Sequence, residues 1–401
     1  MTGPANLPPS ATGGSAHSPG RFGRVATPRP PGRALRLGTR GSALALAQSG
    51  QVAAAVSERL GVEVDLVRIV TPGDRSRAAI SQIGGTGVWV SALRDALLTG
   101  EIDFAVHSLK DLPTRPPDSL RLAAVPPRAD PRDVLVCPDG RRLAELGPGT
   151  VIGTGAPRRM AQLRAFSRER GLGLEVVAIR GNVDTRLKKA IDGQVDAVVL
   201  AHAGLDRLDR LDAVTELIDV DVMLPSPGQG ALAVECAAGA SFDGQDLEAA
   251  LRAALDDAPT RVTVAAERAC LARLEAGCSA PVAALAWLVT PGDGPGDAPE
   301  PGGPGGWARD ARGPRFAIMP PDGVQNQRVV GDGPAPVTAS AIRLRAVVAA
   351  PDGAVIMRRE ATGGLDAPEE LGARLAEELL AAGARTLMDG REPVGPPSGR
   401  R

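Results

Sequence analysis

LRLGTRGSALALAQSGQVAAAVSERLGVEVDLVRIV, residues 35–70, decides the fold. The opening LRLG has the short apolar pattern of a strand. Ser42 stands where a helix N-cap belongs, its hydroxyl placed to accept an amide of the first turn. ALALAQSGQVAAAVSERLG then carries apolar residues at helical spacing, and VEVDLVRIV returns to strand-like alternation. Strand, helix, strand is a βαβ unit, the crossover that parallel strands require.

The alternation continues along the chain. VWVSALRDALL (88–98) reads as a helix, IDFAVHS (102–108) and DVLVC (133–137) as strands, PRRMAQLRAFSRER (157–170) as a helix, and LEVVAI (174–179) and VDAVVLA (195–201) as strands. Such a succession predicts α/β architecture with mainly parallel sheets. With 401 residues, 43% of them hydrophobic, the chain exceeds one typical core and should form two or three domains. A formal net charge of -1 supplies no global field for nucleic acid or an anionic membrane. The expected partner is therefore a small molecule in a local basic pocket. The basic residues are almost all arginine, with lysine only at Lys110, Lys188 and Lys189.

Cys137, Cys236, Cys270 and Cys278 are scattered with no CxxC pair, so their spacing gives neither a disulfide framework nor a metal site. A reducing compartment fits. The N-terminus lacks the apolar region of a signal peptide, and no apolar run approaches the roughly 18 residues of a membrane span. A soluble, cytoplasmic protein is expected. Residues 1–33, rich in Pro, Gly and Ser without periodicity, should be a disordered extension.

A further section begins near Pro259. TRVTVAAERACLARLEAG (260–277) reads as a long helix with Gly277 as its stop signal, and Cys278 follows on a turn of small residues. The Gly/Pro-rich stretch from about 290 to 337 is too long and polar for an ordinary loop and is expected to be a disordered insertion. AIRLRAVVAAPDGAVIMRR (341–359) reads as a hairpin around Pro351, Asp352 and Gly353, and PEELGARLAEELLAAGA (368–384) as a closing amphipathic helix.

Several strand ends carry chemistry. IDFAVHSLKDLP (102–113) sets Ser108, Lys110 and Asp111 at the end of an apolar strand, where α/β sheets gather ligands. Taken alone, the same residues make a solvated turn stabilised by Asp111, and His107 falls inside the strand as a packed histidine. VIGTGAPRRM (151–160) runs from strand into helix with Pro157 at the first helical position. Arg158 and Arg159 there would make an anion site, or two exposed arginines. Arginine is disfavoured at that end of a helix, and the local sequence shows no compensation. The segment is no dinucleotide fingerprint, since GxGxxG needs glycine at Arg158. IRGNVDTRL (179–187) repeats the device with Arg180, Asn182 as a cap and Arg186, and GTRGS (38–42) does so with Arg40. Arginines at several strand ends suit a ligand with several carboxylates or phosphates, gripped by bidentate forks. Cys278 by itself reads as a buried filler, a nucleophile or an attachment point. A helix C-terminus raises a thiol pKa, which argues against a catalytic thiolate.

Together, GTRGSALALAQ, GGTGVWV, AVHSLKDLP, the pair Arg158 and Arg159, RGNVDTRL, LPSPGQGAL and RLEAGC closely resemble the porphobilinogen deaminase (hydroxymethylbilane synthase) family, from about residue 35 to 285. The resemblance implies an α/β fold of two periplasmic-binding-protein-like doubly wound domains with a cleft between them, plus a small α+β C-terminal domain. It places the first domain at 34–126 and 227–246, the second at 127–226 and the third at 259–401. It further implies a transferase that joins four porphobilinogen molecules head to tail, releasing ammonia, to give the linear tetrapyrrole hydroxymethylbilane on the route to haem. The primer is a dipyrromethane cofactor held by a thioether.

By matching position, Cys278 is implied as the attachment cysteine and Asp111 as the catalytic carboxylate, stabilising the azafulvenium cation formed as ammonia departs. Ser108, Lys110, Thr154, Arg158 and Arg159 are implied on the cofactor side, Arg40, Ser42, Gln48 and Arg180 on the substrate side, and Arg186 on either. A monomer that hands its product to the next enzyme of the pathway is implied, with no nucleic-acid or membrane partner and no metal. The sequence departs from the family pattern at Gly155 and Ala156, where hydroxyl residues are usual, so contacts there fall to backbone N–H groups. It also departs at Gln82, Thr86 and Trp89 in the glycine loop, where Trp89 can stack on a pyrrole. A two-lobed anion-binding protein would use the same arginines without chemistry; Asp111 and Cys278 discriminate, since binding needs neither.

Overall fold

The computed structural model describes residues 33–70, 87–276, 280–290 and 339–389. Apart from Arg33 and Thr290 at its margins, the expected N-terminal extension and Gly/Pro-rich insertion lie outside these residues, as do Gln82, Thr86, the Trp89 side chain, Gly277 and Cys278. The opening unit forms as expected, with β1 (Leu35–Thr39), α1 (Ala43–Leu60) and β2 (Val64–Arg68), the strands parallel. Ser42 caps α1 by accepting from Ala45 N at 3.3 Å.

The chain continues through α2 (Gly87–Leu98), β3 (Phe104–Ser108) and β4 (Leu120–Ala124), then crosses into β5 (Asp133–Val136), β6 (Val151–Thr154), α3 (Pro157–Arg170), β7 (Glu175–Ala178), α4 (Val183–Ile191), β8 (Ala197–Ala201), α5 (His202–Asp206) and β9 (Glu216–Leu217). It then crosses back as β10 (Leu232–Ala237). The small hairpin β11 (Ser241–Phe242) and β12 (Gln245–Asp246) and the helices α6 (Leu247–Leu255) and α7 (Ala258–Arg273) follow.

Two five-stranded sheets result, ordered β2-β1-β3-β10-β4 and β7-β6-β8-β5-β9. Their plans coincide. In each, three parallel strands meet a fourth that runs the other way, β10 in one and β5 in the other. The expectation of mainly parallel sheets holds for strand direction, since the fifth strand, β4 or β9, runs with the three, and it missed the one reversed strand in each. A strand that enters at the carboxyl edge of its sheet, as both β5 and β10 do after crossing, has to run opposite to its neighbours.

Helices cover both faces of each sheet. In the first, Leu37, Phe104, Val106 and Val234 pack toward α1 and α6, while Ala105, Leu109 and Ala233 face α2 and α7. In the second, Leu135, Ile152 and Val199 meet α3, and Val134, Val136 and Val198 meet α4. Burial on both sides explains why VLVC (134–137) is a continuous apolar run rather than an alternating one.

The third sheet is antiparallel, β13 (Val282–Val289), β14 (Ala341–Ala349) and β15 (Ile356–Gly363), packed on α7, α8 (Pro368–Ala381) and α9 (Ala384–Met388). The expected hairpin forms, with Ala349 opposite Ile356. Its tip docks on α3, where Arg164 donates to Pro351 O at 2.8 Å and Arg168 to Gly353 O at 2.6 Å. α7 stops earlier than expected, at Arg273. The left-handed residue is Glu275, at φ 54°, whose amide donates to Ala272 O, so the helix terminates before Gly277 is reached. The architecture is thus α/β, with two doubly wound domains and a small α+β C-terminal domain.

Candidate functional site

Connectivity brings the candidate residues to the carboxyl edges of the two sheets. β1, β3, β6, β7 and β8 all end at the carboxyl edges of their sheets, delivering Arg40, Ser108 to Asp111, Thr154, Arg180 and the α5 segment. The reversed strands deliver their first residues to the same edges. Asp133 pairs with Ala201, the last residue of β8, and Leu232 with Ser108, the last of β3, so the GQG segment before β10 lies at the mouth.

Gln229 joins the two edges. It is buried, and its Oε1 accepts from Arg158 at 3.0 Å, Lys110 at 3.3 Å and Arg159 at 3.5 Å. Its Nε2 donates to Pro131 O at 2.6 Å and Asp133 Oδ1 at 2.8 Å. Lys110 from the first sheet therefore shares an acceptor with the arginine pair of the second. Gly230 lets this segment close: at φ 87° it sits where a Cβ would lie 2.4 Å from Ala129 O.

Asp133 supplies the missing compensation for Arg158 and Arg159. Arg158 donates to its carboxylate at 2.6 and 3.2 Å and Arg159 at 2.8 Å, all three side chains being buried. Burial alone would raise the Asp133 carboxyl, but the two guanidiniums outweigh it and hold it far below the usual range. One carboxylate against two arginines leaves the cluster cationic. Both terminal nitrogens of Arg158 are engaged, Nη1 donating also to Leu224 O at 3.0 Å. Arg159 Nη1 donates to Val199 O at 3.1 Å, yet its Nε is buried with no partner among the described residues.

Arg186 is in the same condition. Its Nε is buried without a partner among the described residues, and burial, with Arg159 nearby, lowers its pKa. Gly155 makes room for it: a Cβ there would stand 2.8 Å from Ile179 O and 3.1 Å from Arg186 Nη2. The departure at this corner thus admits a guanidinium where a side chain would block it. Ala156 N, expected to serve a ligand, donates to Thr154 Oγ1 at 3.4 Å.

Lys110 feels the cluster directly. Burial, with Arg159 and Arg158, pushes its ammonium down to about 8 against the opposing pull of Asp111 and Asp133. Asp111 itself is exposed on the 3-10 turn Leu109–Asp111, and no described residue donates to its carboxylate, so it does not stabilise that turn. Ser108 and Gln48 bond each other, Nε2 to Oγ at 3.1 Å. Arg40 is half-buried and Arg180 exposed. Asn182 caps α4, accepting from Thr185 N at 2.9 Å. His107 is buried, 3.4 Å from Glu235 Oε2, a packed histidine as expected.

Sequence reasoning missed Asp133, Gln229 and Arg207. Arg207, beyond α5, donates to Gly230 O at 2.6 Å, and burial, against Asp206, lowers it to about 10. It also missed the joint behind the cleft, where buried Glu267 accepts from Arg128 at 2.6 and 3.0 Å, from Gly228 N at 2.6 Å and from Ala286 N at 2.8 Å. Acids at strand starts and a glutamine in LPSPGQG were visible, but only the pairing makes them a network.

Buried N–H donors without acceptors, on side chains kept cationic, demand an anionic ligand. The acetate and propionate groups of a dipyrromethane meet that demand, and the residues present fit such a group. No helix among the described residues is long and apolar enough to cross a membrane.

The family model for the porphobilinogen deaminase dipyromethane cofactor binding domain matches residues 35–242, and that for the porphobilinogen deaminase C-terminal domain matches 261–291. The chain is 51% identical over 363 residues to porphobilinogen deaminase 1 of Streptomyces coelicolor, spanning 90% of this chain and 98% of the relative. It is 52% identical over 369 residues to porphobilinogen deaminase 1 of Streptomyces avermitilis, spanning 90% and 99%. Among solved structures, immunogenic lipoprotein A from Vibrio vulnificus aligns with a TM-score of 0.34 at 12% identity, over 54% of this chain and 94% of that one.

Proposed function

The chain belongs to the porphobilinogen deaminase family, and from that premise we propose the roles of its residues in joining four porphobilinogen molecules to hydroxymethylbilane. The family's activity is that of a transferase in porphyrin and haem biosynthesis, with a dipyrromethane cofactor. The observation that carries the assignment of roles is the pair of buried donors with no partner among the described residues, Arg159 Nε and Arg186 Nε, in a cluster that Lys110 joins through Gln229.

Arg159, Arg186 and Lys110 hold the carboxylates of the primer, with Ser108, Thr154 and Arg158 shaping that side. Arg158 acts mainly by fixing Asp133 and Gln229. When bound through Cys278, the dipyrromethane supplies the pyrrole carbon from which the chain grows. Arg40, Arg180, Ser42 and Gln48 serve the incoming substrate. Asp111 accepts hydrogen bonds from the substrate's pyrrole N–H and stabilises the positive charge that develops on the substrate as ammonia leaves. The buried state of Cys137, Cys236 and Cys270 supports Cys278 as the attachment point, because none of those three thiols is open to a two-ring group.

We place the first domain at 34–126 and 227–246, the second at 127–226 and the third at 259–401, with the return of β10 to the first sheet as support. The proposal includes a cytoplasmic monomer that passes its product to the next enzyme. The direct experiment is the intact mass of the purified protein, read for a covalent two-pyrrole adduct, with hydroxymethylbilane formation assayed from porphobilinogen. An adduct-free protein that makes no product would overturn the reading.

Arginine-to-lysine replacements separate the two sides of the cleft. Lysine keeps the charge but loses the fork, and about 1–3 kcal/mol per desolvated carboxylate contact goes with it. Arg159→Lys is expected to yield mostly apo protein, visible as missing adduct mass. Arg158→Lys should do the same and lower the melting temperature as well, because it also breaks the paired hydrogen bonds to Asp133. Arg40→Lys and Arg180→Lys should keep the adduct and raise the substrate concentration needed. Normal adduct and kinetics in all four would remove the anion-cleft assignment.

Lys110 makes cofactor loading pH-dependent. Only the ammonium form attracts a carboxylate, and with its pKa near 8 that form is lost as pH rises through that value. The loading rate of apo protein is expected to fall above about pH 8, and Lys110→Arg should carry loading to higher pH. Loading that stays flat to pH 9.5 in the parent chain would exclude the role.

A further inference from the structure

Arg268 lies on α7, and its guanidinium is spent on backbone. Nη1 donates to Leu112 O at 3.0 Å and to Leu109 O at 3.3 Å, and Nη2 donates to Pro113 O at 2.8 Å. These three carbonyls bracket Asp111, two residues before it and one and two after. No carboxylate among the described residues pairs with Arg268, and burial pushes its guanidinium down to about 10, so keeping a charge there is costly. A leucine or methionine would fill the same space more cheaply. What an apolar residue cannot do is satisfy three carbonyls of a turn that Asp111 leaves unsupported.

Besides Arg268, the turn is tied by the buried Leu109 and Leu112 and by Lys110, which donates to Gln229 Oε1 at 3.3 Å. Leu109 N donates to Ala231 O at 3.0 Å and Leu112 N to Leu109 O at 3.1 Å, and the Asp111 side chain contributes no hydrogen bond with described residues. The neighbour of Arg268 on α7, Glu267, is itself locked by Arg128, Gly228 and Ala286. α7 is therefore a fixed rail against which the turn is held.

We propose that Arg268 is a positioning residue that holds the Asp111 turn in register against α7, an inference that rests on Asp111 being the catalytic carboxylate. Misplacing a catalytic group by about 1 Å commonly costs about a hundredfold in rate. The planar fork suits three divergent carbonyls as an ammonium does not.

The test uses the loaded enzyme with Arg268→Met, Arg268→Lys, Asp111→Asn and the double variant Asp111→Asn/Arg268→Met. Adduct occupancy comes from intact mass, and rates of pyrrole addition and KM are referred to the loaded fraction. Arg268→Met is expected to load, to lower kcat by about 10- to 100-fold and to leave KM within about threefold. Arg268→Lys should fall between it and the parent, and it carries the same test if the methionine variant does not fold. In the Asp111→Asn background, Arg268→Met should change the residual rate by less than about twofold, because a residue acting through Asp111 has nothing left to act on.

A loaded Arg268→Met or Arg268→Lys with parental kcat overturns the inference. So does a rise in KM alone, or an equal rate loss with and without Asp111. Parental activity in Asp111→Asn alone would instead remove the catalytic assignment on which the inference rests, so the two failures are distinguishable.

Discussion

Asp111→Asn is expected to give a folded enzyme that still carries its primer and adds pyrroles about a hundred to a thousand times more slowly, the usual cost of losing one preorganised electrostatic group. Asparagine has nearly the same shape and can still accept a hydrogen bond from a pyrrole N–H. What it lacks is charge, and a neutral amide cannot stabilise a developing cation as a carboxylate does in a site of reduced dielectric. Attachment should survive because the groups assigned to the primer lie on Lys110, Arg159 and Arg186 rather than on Asp111. A second consequence follows for Lys110, whose ammonium Asp111 helps to retain against Arg158 and Arg159. Removing that carboxylate should move the alkaline limit of loading below about pH 8. Following the mass of the loaded chain through a single turnover reads the rate, and turnover within about threefold of the parent would sink the catalytic role.

Local features were legible in the sequence because they depend on neighbours. Ser42, Asn182 and Pro157 announce helix starts by chemistry that acts over three or four residues, and the structure uses each in that way. The βαβ opening and the PDG hairpin are local in the same sense. The direction of β5 and β10 was not legible, since it follows from where the chain crosses between sheets. Leu232 opposite Ser108 is a pairing between residues far apart in sequence. α7 ended at Arg273 because the chain turns at Glu275, a left-handed conformation that a glutamate seldom advertises.

The site divided along the same line. Arginines at strand ends were visible as a pattern, and Arg158, Arg159 and Arg186 lie near one another, while Arg40 and Arg180 follow strands of the same two sheets. Their electrostatic partner was not, because Asp133 reads as an acid beginning an apolar strand until its burial between two guanidiniums is known. Gln229 was hidden for a different reason. An uncharged side chain gives no electrostatic signature, yet this one bridges Lys110 to Arg158 and Asp133 and so couples the two halves of the cleft. Its contribution is to let three cationic side chains approach one another before any ligand anion arrives. That arrangement leaves Arg159 Nε and Arg186 Nε without partners among the described residues, whereas both terminal nitrogens of Arg158 are taken.

Cys278→Ser is expected to have the other large effect: a folded protein with no adduct and almost no product. A hydroxyl is a far weaker nucleophile than a thiol, so the thioether does not form on serine. The remaining cysteines cannot substitute. Burial, with Asp139 beside it, raises the Cys137 thiol to about 11; burial, with Glu248 and other acids, raises Cys236 to about 12; and burial, with Glu267, raises Cys270 to about 12. Cys236 stands inside β10, between β3 and β4 of the first sheet, and Cys270 packs within the core under the third. Attaching two pyrrole rings at either would require opening a close-packed interior. Loss of the adduct should also leave the cationic mouth without its anion, so the variant should bind small dicarboxylates that the loaded parent excludes. Peptide mass mapping of the parent provides the converse measurement. Adduct mass on the peptides of Cys137, Cys236 or Cys270, or full activity in Cys278→Ser, would overturn the assignment and with it the division of the arginines between primer and substrate.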